Sequence, residues 1–239
     1  MKMKTKYKLV LAGLLVSSVA LAGHTNNPSR NWEELREKNL SCGLAAKRID
    51  QALTACRKSG LTVEQTDALL CPVYSAQTEA LPGSCVFLKI EEGLAKQVPA
   101  DQVRSAAVTR LECLRRADQL VMAVRQGRGG QHNHLVMHTC MALESGLPET
   151  VLQNVFSRPG GFRYGRLIHV IEAGEALQLA GLAPKDTQHI MNDCLDRDLN
   201  GSEVMRVVEL FQQGLQAGKD FDTLHNALWV APKVDCSER

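Results

Sequence analysis

Ser145-Gly146-Leu147-Pro148 returns with small changes as Ser59-Gly60-Leu61-Thr62 and as Ala180-Gly181-Leu182-Ala183-Pro184. Each copy ends one apolar stripe and opens another. The physics is that of a helix exit. Glycine takes the left-handed C′ position at no steric cost, the following leucine packs back on the last turn, and Thr or Pro starts the next helix as N-cap or first residue. Glu92-Gly93-Leu94 and Gln213-Gly214-Leu215 keep only the Gly-Leu core. The five glycines stand at 60, 93, 146, 181 and 214, so three of the four intervals are 33, 35 and 33 residues. A helix pair of a solenoid repeat has about this length, although the Trp and Tyr signature of a tetratricopeptide repeat is missing.

The stretches between these turns carry helical spacing. Ala45, Ile49, Ala52 and Cys56 follow at steps of four, three and four; Val103, Ala107, Leu114, Ala117, Val121 and Val124 line one side of a longer segment; Val204, Val207, Val208, Phe211 and Leu215 repeat the pattern late. Strict alternation with β-branched enrichment is absent. The expected fold is all-α: an array of antiparallel helix hairpins, either an irregular solenoid or two small bundles, stapled by disulfides. Gly127 to Gly130 and Pro159-Gly160-Gly161 are the clearest loops. The second divides an N-terminal helical region, 23–158, from a C-terminal one, 162–231, followed by a tail, 232–239.

Residues 1–22 read as a signal peptide: Lys2, Lys4, Lys6 and Lys8, the apolar run Leu9 to Val16, then Ala20-Leu21-Ala22. The apolar run is shorter than the roughly 20 residues a membrane-spanning helix needs. His24 stands where a lipoprotein requires Cys. The sequence therefore predicts export to a periplasm or beyond, without a membrane anchor. Without those 22 residues, 24 basic and 26 acidic side chains remain, and the chain of 217 residues carries a formal charge of −2. A nearly neutral chain lacks the clustered basic face of a nucleic-acid binder.

The stretch Leu88-Lys89-Ile90-Glu91-Glu92-Gly93-Leu94-Ala95-Lys96-Gln97-Val98-Pro99 resembles one found in uncharacterised exported helical proteins of bacteria. The resemblance implies secretion and an α-helical fold, and it carries no functional residues.

Eight cysteines, at 42, 56, 71, 85, 113, 140, 194 and 236, all follow the signal peptide. An even count in an exported chain predicts disulfides. If Gly127 to Gly130 turns an antiparallel hairpin, Cys113 lies about 15 residues before its centre and Cys140 about 12 after, within roughly one helical turn of the same height. Cys113 is thus predicted to bond Cys140. Cys71 and Cys85 bracket Pro72, Pro82 and Gly83 and are expected to close that segment as a loop. Cys42 and Cys56 fall about 21 Å apart on one helix, too far to bond each other.

His132-Asn133-His134-Leu135-Val136-Met137-His138-Thr139-Cys140-Met141 is the richest chemical cluster. On a helix His134, Met137, His138 and Met141 share a stripe. Imidazole and thioether donors suit copper outside the cytoplasm, and two histidines with a third ligand suit zinc. His134, His138 and Met141 are the candidate copper or zinc ligands, beside the plainer reading of core methionines and rim histidines. Asp196-Arg197-Asp198-Leu199-Asn200-Gly201 matches the first half of an EF-hand loop, but Val207 stands where the bidentate Glu belongs. Asn-Gly at a helix junction with Ser202 as a cap explains these letters without calcium. Glu144-Ser145-Gly146 is similar to the helix-end glutamate of lytic transglycosylases, a general acid, yet no Gly-Leu-Met-Gln or Tyr-Asn-Ala-Gly run accompanies it.

No nucleophile elbow, Ser-x-x-Lys, His-Glu-x-x-His, P-loop or Cys-x-x-Cys occurs. Tyr164, Arg163 and Arg166 follow Pro159-Gly160-Gly161-Phe162 in a loop that reads equally as an interface, since Tyr and Arg are favoured there, and as a plain lead-in to a helix that needs no partner. The leading expectation is an exported helical binding or scaffolding module with a protein partner and no catalytic site. A copper- or zinc-binding protein is the alternative, and an envelope hydrolase built on Glu144 comes third.

Overall fold

A computed structural model describes residues 31–124, 131–158 and 163–230. Residues 1–22, expected to be a signal peptide, the expected turn at Gly127 to Gly130, Pro159-Gly160-Gly161, the tail and Cys236 lie outside the described residues. Among those described, every regular element is helical. The order is α1 (Trp32–Ser41), α2 (Ala46–Lys58), α3 (Val63–Thr78), α4 (Gly83–Ala95), α5 (Ala100–Val124), α6 (His132–Glu144), α7 (Glu149–Phe156), α8 (Tyr164–Leu179), α9 (Pro184–Asp196), α10 (Gly201–Gln216) and α11 (Phe221–Val230).

The helix exits carry the repeat. Gly60, Gly146 and Gly181 hold φ of 72°, 93° and 89°, the left-handed C′ conformation expected of them. The amide of the next residue bonds five residues back in each: Leu61 to the Cys56 carbonyl at 3.1 Å, Leu147 to Ala142 at 3.0 Å, Leu182 to Leu177 at 3.1 Å. Thr62 caps α3 in a reciprocal capping box with Gln65, and Pro184 opens α9.

Gly93 and Gly214 correct the expected repeat. Neither is a turn residue; each lies inside its helix, one turn before the exit. The left-handed residues are Gln97 (φ 55°) and Gly218 (φ 74°), and Ala80 and Asp198 do the same at φ 55° and 58°. The exits at 43, 60, 80 and 97 are therefore 17, 20 and 17 residues apart, and those at 181, 198 and 218 are 17 and 20 apart. The helix pair repeats every 37 residues in these two runs, while the exits at Gly146 and Gly181 keep their 35-residue interval. Gly93 and Gly214 are glycine because another helix lies against them: a Cβ on Gly93 would stand 2.6 Å from a Val103 methyl, and one on Gly214 2.1 Å from a Leu224 methyl.

The position five residues before each post-turn residue faces this crowded junction. It holds Cys56, Ala76, Gly93, Ala142, Leu177, Cys194 and Gly214, mostly small side chains. Cys56 and Cys194 are thus small apolar fillers, fully buried. Burial pushes the Cys56 thiol up, and the Cys194 thiol up to about 12, with the Asp193 charge adding to it.

Each helix packs on its successor or on the next but one: α1 on α3, α2 on α4, α3 on α5, α6 on α8, α7 on α9, α8 on α10. One continuous buried core runs from Leu35 to Leu224 through α6, α7 and α8. The expected apolar faces are the buried ones: Ile49, Ala52 and Cys56 on α2; Val103, Ala107, Leu114, Ala117 and Val121 on α5; Val204, Val207, Val208 and Phe211 on α10. Ala45 is an exposed N-cap instead. No helix among the described residues is long and apolar enough to cross a membrane.

The disulfide staples are corrected at the level of bonds. All seven described cysteines are free thiols, and no pair stands at bonding distance. The loop expected between Cys71 and Cys85 is mostly helix, because α3 runs through Pro72 to Thr78 and leaves only the turn before Gly83. Cys71 is exposed and Cys85 buried.

Candidate metal centre

Residues 134–141 lie on α6. His134 and His138 face each other with Nε2 atoms 3.1 Å apart and ring centroids 4.7 Å apart. Their further neighbours come from α8: Glu172 Oε1 lies 3.2 Å from His138 Nδ1, and Glu172 Oε2 lies 3.2 Å from His169 Nδ1. Burial pulls His138 below the usual histidine range, with Glu172 opposing that and His134 adding to it. Met141 is exposed and Met137 is packed against the core. The structure thus joins His134 and His138 to a carboxylate and a third imidazole that the sequence left 31 or more residues away.

A more complete donor set lies on α9 and α11. His189 and Asp193 stand one turn apart on α9, and α11 brings His225 over them. His225 Nε2 is 2.7 Å from Asp193 Oδ2, and His189 Nε2 is 3.7 Å from the same oxygen. One donor atom from each of the three lies within 4.8 Å of the others. A tetrahedral ion with bonds near 2.1 Å sets its donors about 3.4 Å apart, a separation that these contacts bracket. Asp193 and His225 are about three-quarters shielded, whereas the His189 side chain is 54% exposed. The group is therefore anchored on one side and open on the other.

Aromatic rings hold these imidazoles in place. Phe221 stacks on His225 at 5.3 Å and receives the edge of His189 at 5.9 Å. Trp229 stands edge-on to His225 at 6.4 Å, with the Arg197 guanidinium 4.0 Å over its own ring. Cys194, next to Asp193, faces the core and offers no ligand here.

Cys113, Cys140 and Glu144 form a third group with donor atoms within 4.8 Å. Arg110 Nη2 lies 2.5 Å from Glu144 Oε2, so a guanidinium already occupies the carboxylate. That cation disfavours a metal ion beside it. The same contact ties up Glu144 as a helix-to-helix link between α6 and α5, the opposite of a general acid free to reach a substrate.

The EF-hand letters form a helix junction. Asp198 is the left-handed exit residue of α9 and pairs with Arg166, Asp196 pairs with Arg158, and Asn200 caps α10 in a capping box with Glu203. His189 and Asp193 were readable in the sequence as an i, i+4 pair, whereas His225 joins them only through the packing of α11. No family model, no curated protein and no solved structure matches the chain.

Proposed function

We propose that this chain is an exported helical binding module, an irregular array of antiparallel hairpins, that holds a divalent transition-metal ion at His189, Asp193 and His225. The observation that carries the reading is the convergence of two imidazoles and one carboxylate from two helices within 4.8 Å. Borderline nitrogen donors with one hard oxygen suit Zn²⁺ or Cu²⁺, and three protein ligands leave a position for water or a bound molecule. The basic and apolar pattern of residues 1–22 supports export.

Titration of the metal-free full chain with ZnCl₂ and CuSO₄ by calorimetry tests this. One ion per chain is expected, with affinity reduced at least tenfold by His225→Ala and by Asp193→Asn. Binding that survives both substitutions overturns the assignment. A second reading rests on the 3.1 Å approach of His134 and His138: loss of binding only in His134→Ala/His138→Ala moves the site to α6.

A further inference from the structure

We infer that Cys113 and Cys140 are a dithiol that closes to an intramolecular disulfide when the chain folds in the presence of a disulfide donor. The inference is independent of the metal site.

Cys113 and Cys140 differ from the buried Cys56 and Cys194 in what surrounds them. Cys56 and Cys194 occupy the crowded junction position that Ala76, Ala142, Gly93 and Gly214 also fill, so their size alone accounts for them. Cys113 and Cys140 lie outside that position and face each other across the packed α5 and α6 helices. Their sulfurs are within 4.8 Å, and the Cys113 thiol donates to the Cys140 carbonyl oxygen at 3.3 Å. A disulfide needs the sulfurs about 2.05 Å apart. Rotating one cysteine between staggered wells moves its sulfur by about 3 Å, so the remaining gap is of side-chain size.

Closure takes two exchanges, and with the helices parted either cysteine starts it. With Cys113 first, its thiolate displaces one thiolate, RS⁻, from a disulfide R–S–S–R and forms the Cys113–S–S–R mixed disulfide. The Cys140 thiolate then attacks the Cys113 sulfur and expels the second RS⁻. The two cysteine protons end on the two RS⁻ groups, so the donor is reduced to two thiols while the pair is oxidised by two electrons. Both cysteines are at most 1% exposed. The donor therefore reaches them while α5 and α6 are parted, during folding, and the closed bond is sealed afterwards.

The test refolds the reduced full chain with oxidised and reduced glutathione, alkylates remaining thiols and maps peptides without reduction. The expected result is one joined species containing Cys113 and Cys140, lighter by two hydrogens than the two thiol peptides, with Cys56 and Cys194 alkylated. The joined species disappears in Cys113→Ser and in Cys140→Ser. Alkylation of both Cys113 and Cys140 in wild-type folded protein, or joining of either to a different cysteine, overturns the inference.

Discussion

His132 Nε2 lies 2.6 Å from Asp118 Oδ1, and the imidazole is 1% exposed. This contact fixes the first residue of α6 to the inner face of α5. With the proton on Nε2 the ring donates to the carboxylate. The buried Nδ1, which has no partner, is then a bare lone pair and not an unsatisfied N–H. Removing the ring opens a cavity and deletes a charge-assisted bond, so His132→Ala is expected to cost about 2–4 kcal/mol. A double-mutant cycle with Asp118→Asn, read by urea unfolding, should return a coupling of about 1–3 kcal/mol. A coupling near zero would show that the two residues merely touch.

Gly93 and Gly60 make a paired prediction, since each is glycine for a different reason. At Gly93 an added methyl meets both branches of Val103, which is stiff about χ1 and cannot swing aside. At Gly60 the space is open and only the φ of 72° resists a side chain. Gly93→Ala is expected to cost about 1–3 kcal/mol through overpacking, and Gly60→Ala about 1–2 kcal/mol through backbone strain. The two are told apart by Val103→Ala, which makes room. It should recover most of the Gly93→Ala loss in a thermal melt and none of the Gly60→Ala loss.

The same two glycines show what the letters could and could not convey. Gly-Leu marks a helix exit at Gly60, Gly146 and Gly181, where φ is positive, but the identical pair inside α4 marks a close helix crossing. Both demands select the residue without a side chain, and only the tertiary packing separates them. Ala80, Gln97 and Asp198 carry the same left-handed turn with no glycine to announce it. The apolar faces, by contrast, were legible because a 3.6-residue period places Val204, Val207, Val208 and Phe211 together whatever packs on them. The expected Cys113–Cys140 bond is absent, although the two sulfurs lie within 4.8 Å, and the turn that would join their helices lies outside the described residues. His225 was not legible, because nothing local ties position 225 to position 193.

Glu175 on α8 supplies a pH prediction. Burial raises its carboxyl above the ordinary range, the Glu172 and Glu144 charges add to this, and Arg110 on α5 opposes it. A carboxyl that holds its proton more tightly when folded favours the fold below its unfolded pKa near 4.3. That contribution is lost as pH rises through the folded value. Glu175→Gln removes the ionised form that the fold disfavours. The variant should unfold at a higher urea concentration than wild type at pH 7 and show no gain near pH 3.5. A gain of equal size at both pH values would assign the effect to packing.

Asn200 decides between a calcium loop and a helix junction. Its side chain accepts from the Ser202 amide at 3.0 Å and the Glu203 amide at 3.1 Å, while Glu203 Oε2 accepts from the Asn200 amide at 2.7 Å. The carboxylates of Asp196 and Asp198 are turned to Arg158 and Arg166, and Val207 offers no oxygen at the position where a bidentate ligand completes the loop. Asn200→Ala should therefore cost about 1 kcal/mol, the worth of an N-cap, and the cost should be the same with millimolar calcium or with a chelator. Asn200→Asp keeps the cap and places a negative charge at the start of α10, where the helix dipole favours it, so its stability should match wild type. A calcium-dependent rise in the unfolding midpoint that Asn200→Ala abolishes would restore the calcium reading.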